Sequence, residues 1–394
     1  MCALLLGGCL GDEDRRESSH IGGDSVTVYA SLPRHGVSAA AAAAVAAGQR
    51  LALADAGARA GELRVRLVQL DSTDPDDRLW DPDRVSAYAK RAADDPTAIA
   101  YLGELDYGAS AVSVPITNEA GILQVSPGDG LTSLTDTPPG RPPAGPDRLY
   151  PSSRRSFLCL TPSDLLQAET MLERIRARGA ERLAVLFDRQ VYGRELGDQL
   201  VALARRDGPE PVLSEEYRDR VDEIPDLGRA LAESRPDAVA YAGVAGAGSG
   251  RLLAAIDTRL PGVPVYASAG MLARDRARPI PRAPERVEAL SAVPPARELP
   301  AAGRRLLHRL RADVGPTAAR PEALYGYESM RLVLDAIREA GPDRARALRA
   351  GLRIRMRQSP LGDYEVRASG DVGEGRFAVY SLRDGRFEFE EMAR

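Results

Sequence analysis

The chain has 394 residues, enough for two cored domains, and its 44% hydrophobic and 28% charged composition is that of a soluble globular protein. A formal net charge of −4 argues against nucleic acid as a partner. Three cysteines (Cys2, Cys9, Cys159) and three scattered histidines (His20, His35, His308) argue against a disulfide framework, a metal site and a histidine-based triad.

The chain opens with "LLLGGC", Leu4 to Cys9. This apolar run is far shorter than the roughly 20 residues that span a bilayer. It reads as the end of a bacterial lipoprotein signal, with Cys9 as the lipidated residue and residues 1–24 as signal remnant and polar tether. From about residue 25 the periodicity predicts strands alternating with helices. The strand "SVTVYAS" precedes a helix from about Ser38, and the strand "ELRVRLVQLD" precedes "DPDRVSAYAKRAADD", where Pro82 suits a first helical turn. Next come the strand "AIAYLG", the helix "GASAVSVPITNEAG" and the strand "ILQVS". Such alternation predicts βαβ units and a parallel sheet.

The rhythm breaks at Leu134–Pro151, too rich in proline for helix or inner strand. It then restarts as a second set: the helix "PSDLLQAETMLERIRARG", strand "RLAVLFD", helix "VYGRELGDQLVALARRDG" and strand "PVLSEEY". The helix "IPDLGRALAESR", strand "DAVAYAG", helix "GRLLAAIDTRL" and strand "VPVYAS" complete it. The tail holds two long helices, about 300–314 and 321–340, then strands around "RDGR", whose Asp-Gly is a hairpin signal. Two α/β lobes, with a tail that crosses back to complete both, predict a ligand cleft at the carboxyl ends of the parallel strands.

The motifs speak for binding. "GVAGAGSGR" (243–251) misses the third glycine of a dinucleotide fingerprint and sits too late in its lobe. There is no G-x-S-x-G elbow or P-loop, and the pairs Asp76/Asp77 and Asp94/Asp95 lie in polar, solvated stretches. The small polar turns "GELDYGAS", "SPGDG", "DRQVYG" and "SAG" at strand ends would expose backbone N–H groups suited to anions.

The block "YLGELDYGASAVSVPITNEAGILQVSPGDGLTSLT" (101–135) resembles the type I solute-binding proteins of branched-chain amino-acid ABC transporters. "DRQVYGRELGDQL" resembles that family's "YG" turn and helix, and "FLCLTPSDLLQ" and "SPLGDYEVRASGDV" resemble its first and last interdomain crossings. The similarity runs from about Val26 to the end. It implies two Rossmann-like lobes with parallel sheets joined by a three-crossing hinge. The first lobe would hold residues 25–157 and 291–355, the second 158–290 and 356–394. It also implies a non-enzymatic, monomeric, extracytoplasmic protein without cofactor or metal. Such a protein closes on a small amino-acid-like or polar solute and presents it to ABC permease subunits, held to the membrane through Cys9. A receptor of the same fold that signals ligand capture to a partner protein is the alternative role.

Carried over by position, the resemblance implies a ligand site of Leu105, Asp106, Tyr107, Gly128, Gly130 and Tyr192, with Asp129 between the two glycines. Four positions depart from the family pattern. The carboxylate expected for a ligand ammonium falls on Ala269, an adjacent tyrosine on Val244, the carboxylate-binding hydroxyl on Gly130 and a first-lobe tyrosine near Ala41. Either Asp106 or Asp129 supplies the missing negative charge, or the ligand is not an ordinary α-amino acid. The proline-rich insertion at 134–148 is expected at the cleft rim as a stiff flap.

Overall fold

The computed structural model describes residues 19–74, 80–140, 145–218, 222–244, 248–272, 286–315, 319–354, 356–372 and 375–393. The expected lipidation at Cys9, the pair Asp76/Asp77, the core of "GVAGAGSGR" at 245–247 and residues 141–144 of the insertion lie outside these.

The first lobe is built from β1 (Ser25–Leu32), α1 (Ala39–Asp55), β2 (Arg59–Ala60), β3 (Leu63–Asp71), α2 (Pro82–Asp94), β4 (Ala98–Leu102), α3 (Ser110–Glu119), β5 (Leu123–Ser126) and β6 (Phe157–Cys159). Its sheet runs β2-β3-β1-β4-β5-β6, parallel except for the antiparallel edge strand β2. All five residues of β4 are buried, as expected for a central parallel strand covered on both faces. Asp81 starts α2: its carboxylate accepts from the N–H groups of Asp83 and Arg84, and Pro82 fits the first turn.

The second lobe continues with α4 (Asp164–Ala177), β7 (Arg182–Phe187), α5 (Val191–Asp207), β8 (Glu210–Glu216), α6 (Ile224–Ser234), β9 (Ala238–Ala242), α7 (Ser249–Arg259), β10 (Val265–Ala267) and β11 (Val287–Ser291). The chain then returns to the first lobe as α8 (Ala301–Val314), α9 (Glu322–Ala340) and α10 (Arg344–Arg353). A small ribbon of β12 (Met356–Arg357) and β13 (Tyr364–Glu365) leads back to the hairpin of β14 (Phe377–Arg383) and β15 (Arg386–Ala393). The second sheet is ordered β15-β14-β11-β10-β9-β7-β8. Asp384 and Gly385 turn the hairpin with φ of 48° and 73°, the paired positive values of a type I′ turn.

Backbone contact locks α1 against α9. A Cβ on Gly48 would lie 1.9 Å from the Ala323 carbonyl oxygen, and one on Gly326 2.0 Å from that of Val45. Only glycine at both positions permits this crossing.

The chain changes lobe three times, and at each place the structure moves the expected boundary. β6 belongs to the first sheet through Cys159 and β11 to the second through Ser291, because backbone pairing carries each strand past the anticipated 157/158 and 290/291 junctions. The third shift is larger than the expected 355/356. Leu361, Tyr364 and Val366 pack into the first lobe's core, and the Tyr364 hydroxyl donates to Glu328 Oε1 at 2.9 Å, so the chain stays there through Val366. The strands β6 and β11 and the helix α10 are additions to the predicted elements.

Candidate functional site

Strand order reverses between β1 and β4 in one sheet and between β7 and β9 in the other. A crevice opens at the carboxyl ends of strands flanking such a switch point, and here the two crevices face each other. The first lobe brings Ser38, the turn Leu105–Tyr107 after β4, and the turn Gly128–Gly130 after β5. The second brings Asp188 after β7, Tyr192 on the first turn of α5, Val244 after β9 and Ala269 after β10.

The lobes meet through an aromatic pair. Tyr107 of the first stacks on Tyr192 of the second, with ring centroids 4.4 Å apart and planes 20° from parallel. Tyr192 is fully buried and donates its hydroxyl to Gln167 Oε1 at 3.2 Å. The same oxygen accepts the Ala269 N–H at 2.8 Å, while Gln167 Nε2 donates to Asp164 Oδ1 at 3.1 Å. A polar seam continues the contact: the Ser133 N–H donates to Glu195 Oε1 at 2.9 Å, and the Leu165 N–H to Thr132 Oγ1 at 2.9 Å. The proline-rich insertion reaches across as well. A Cβ on Gly140 would lie 2.8 Å from the Asp198 carbonyl oxygen on α5.

Acids dominate this region. Asp129 is buried and accepts the Gly108 and Ser110 N–H groups at 2.9 and 2.8 Å, one on each carboxylate oxygen. It thereby caps α3 from the neighbouring turn, and burial pushes its pKa up to about 6 against those hydrogen bonds. Asp106, half-buried, accepts from Ser38 Oγ at 2.5 Å; burial, with the Asp129 charge adding to it, raises it to about 6. Asp188 accepts the Val244 and Gln190 N–H groups at 2.7 and 3.0 Å and is likewise pushed by burial to about 6. Behind the turn, Glu104 is buried beside the Tyr101 hydroxyl, which donates to it at 2.8 Å, and desolvation lifts its pKa to about 8. Asp164 is raised well above the carboxylate range by burial and by the charges of Asp129 and Glu195. Buried Cys159 donates to the Asp129 carbonyl at 3.2 Å, its thiol pushed to about 12 by desolvation. Among the described residues no group of three His, Cys, Asp or Glu is placed to hold a metal ion.

The structure thus places the sequence-predicted residues at the strand ends and brings Tyr107 to Tyr192, Leu105 to Gly128, and Asp106 near Asp129. It also explains one departure. A Cβ at Gly130 would lie 2.5 Å from the Pro162 carbonyl oxygen, so the interlobe crossing leaves no room there for a hydroxyl-bearing side chain. Ser38, Asp164 and Gln167 were not singled out as site residues by sequence reasoning, and Asp188 was read only as the first residue of the turn "DRQVYG". Asp164 follows the Ser163 helix cap and looks like an ordinary first-turn acid; only the fold reveals what it faces.

The sequence profile described as "periplasmic binding protein" matches residues 25–386. The chain belongs to that family. The family is one of binding proteins, not enzymes. Among curated protein sequences none matches. Similar solved structures include the leucine-binding protein LivK of Thermotoga maritima, at 19% identity and a TM-score of 0.73 over 94% of this chain and 99% of that one. A solute-binding protein of an ABC transporter from R. palustris, solved with benzoate, shares 16% identity, with a TM-score of 0.71 over 93% and 96%. Another from Rhodopseudomonas palustris HaA2, in complex with p-hydroxybenzoic acid, shares 14%, with a TM-score of 0.75 over 94% and 97%. These similarities carry the fold. No helix among the described residues is long and apolar enough to cross a membrane.

Proposed function

We propose that this periplasmic binding protein captures a small solute between its lobes, at the Tyr107–Tyr192 contact, and delivers it to an ABC importer from outside the cytoplasmic membrane. The observation that carries this reading is the facing pair of switch-point crevices, bridged by one aromatic ring from each lobe. In such a fold the lobes part about three crossings, and the ligand stabilises the closed form by touching both. Leu105, Asp106, Gly128 and Val244 are half-buried at the crevice rim, where a solute enters. The neighbours named for leucine, benzoate and p-hydroxybenzoic acid support a small organic solute. A lipid anchor at Cys9 and a monomeric state complete the reading.

Thermal unfolding of the full-length chain against amino acids, amides, aromatic acids and amines tests it. A true ligand at 100 times its dissociation constant adds about 2.7 kcal/mol, and Tyr192→Ala abolishes that gain. Absence of stabilisation by any small solute would refute capture. For the anchor, Cys9→Ser should move the protein from the membrane fraction to the soluble one.

A further inference from the structure

We propose that the solute taken between the lobes is a small organic ammonium without a carboxylate group, and that Asp164 receives its charge. This deepens the binding reading above and rests on it.

The places where an anionic group would dock are already filled by the chain itself. A ligand carboxylate is held in such a crevice by backbone N–H groups at helix starts. In the first lobe the Gly108 and Ser110 amides at the start of α3 both donate to Asp129. In the second, the Gln190 and Val244 amides both donate to Asp188. Position 130 has no room for a hydroxyl. An incoming carboxylate would therefore meet two resident carboxylates rather than two sets of donors.

The opposite charge, by contrast, has an open acceptor. Asp164 is 3% exposed; its Oδ1 takes the Gln167 amide, while its Oδ2 is buried with no hydrogen-bond partner. Its carboxylate is not needed as the helix cap, because Ser163 Oγ already accepts the Leu166 N–H. It adjoins the site: the Gln167 amide that donates to Asp164 Oδ1 also accepts the Tyr192 hydroxyl and the Ala269 N–H. Among the described residues, the charged groups that act on Asp106, Asp164 and Asp188 are other carboxylates. Burial holds the empty-site carboxyl of Asp164 protonated, and a bound ammonium would supply the donor that Oδ2 lacks and the counter-charge that lets the group ionise. When the lobes part, Tyr107 leaves with the first lobe, and Asp164 and the face of Tyr192 remain together on the second. That pairing of a carboxylate with an aromatic face suits an alkylammonium.

Calorimetric titration of the full-length chain with a charge series tests the assignment. The cationic probes are 3-methylbutan-1-amine, 2-phenylethylamine, putrescine and leucinamide; the others are leucine, 4-methylpentanoate and benzoate. At least one amine should bind ten-fold or more tightly than leucine, and the two carboxylates should give no heat. Asp164→Asn should weaken the amine by 30-fold or more while the ligand-free unfolding transition stays cooperative. Binding of leucine or a carboxylate with all amines silent overturns the charge assignment and leaves solute capture standing. An amine that binds Asp164→Asn as well as the unmodified chain overturns the role of Asp164. If that variant does not fold, the charge series on the unmodified chain still decides the ligand class. Silence of the whole panel overturns solute capture itself.

Discussion

Replacing Glu104 by glutamine should make the protein progressively more stable than wild type as pH rises. Glu104 is 2% exposed and hydrogen-bonded to Tyr101, and desolvation lifts its pKa from 4.5 to about 8. The native state therefore holds this proton more tightly than the unfolded chain. Stability from this group is fully present below about pH 4.5 and declines as pH climbs through 8. At about 1.4 kcal/mol per pH unit, the decline reaches about 3 kcal/mol at pH 7 and about 5 kcal/mol above pH 8. Glutamine keeps the shape and the acceptor for Tyr101 without the ionisation. Urea unfolding of both proteins at pH 5, 7 and 9 measures the difference. It should be small at pH 5 and grow by several kcal/mol at pH 9. A difference that stays constant across this range would refute the claim that Glu104 ionises at the expense of the native state.

Three further perturbations address the frame and the interlobe seam. Gly326→Ala drives a methyl group into the Val45 carbonyl across the α1–α9 crossing, and should lower unfolding stability by about 3 kcal/mol; a neutral effect would mean that the helices separate freely. Asp129→Asn leaves one of the two α3 amides without an acceptor, so a loss of about 1–3 kcal/mol is expected, with faster hydrogen exchange at Gly108 or Ser110. Unchanged exchange at both amides would show that Asp129 does not hold that turn. Deleting residues 136–147 removes the segment that rests on α5 through Gly140, and small-angle scattering should then report a larger open population of the ligand-free chain. An unchanged scattering profile would remove the flap from any account of lobe motion.

Most of the frame was legible because its signals are local. The buried run of β4, the Asp81–Pro82 start of α2 and the Asp-Gly turn of the last hairpin each carry their structural reason within a few residues. Elements held by distant partners were not. The three residues of β6 are a strand only because β5 lies beside them, and Val366 reads as part of a crossing until the first lobe's core is seen to receive it. The site divides the same way. That the strand-end turns line the crevice between the lobes follows from their composition and place; the partner of each carboxylate does not.

The turns show why. Polar, glycine-rich turns at strand ends read as cradles for an anion, and the N–H groups at Gly108, Ser110, Gln190 and Val244 do hold anions: the side chains of Asp129 and Asp188. Backbone geometry decides where charge is held, and only the neighbouring turn decides whether the chain or the solute supplies it. Asp129 lies 19 residues or more along the chain from the amides it accepts, and Asp188 lies 56 from Val244. No local pattern reports such a pairing. Once both cradles are filled from within, the unpartnered oxygen of Asp164 becomes the feature that sets the sign of the solute, and the lobes close on charge complementarity opposite to that suggested by the turns alone.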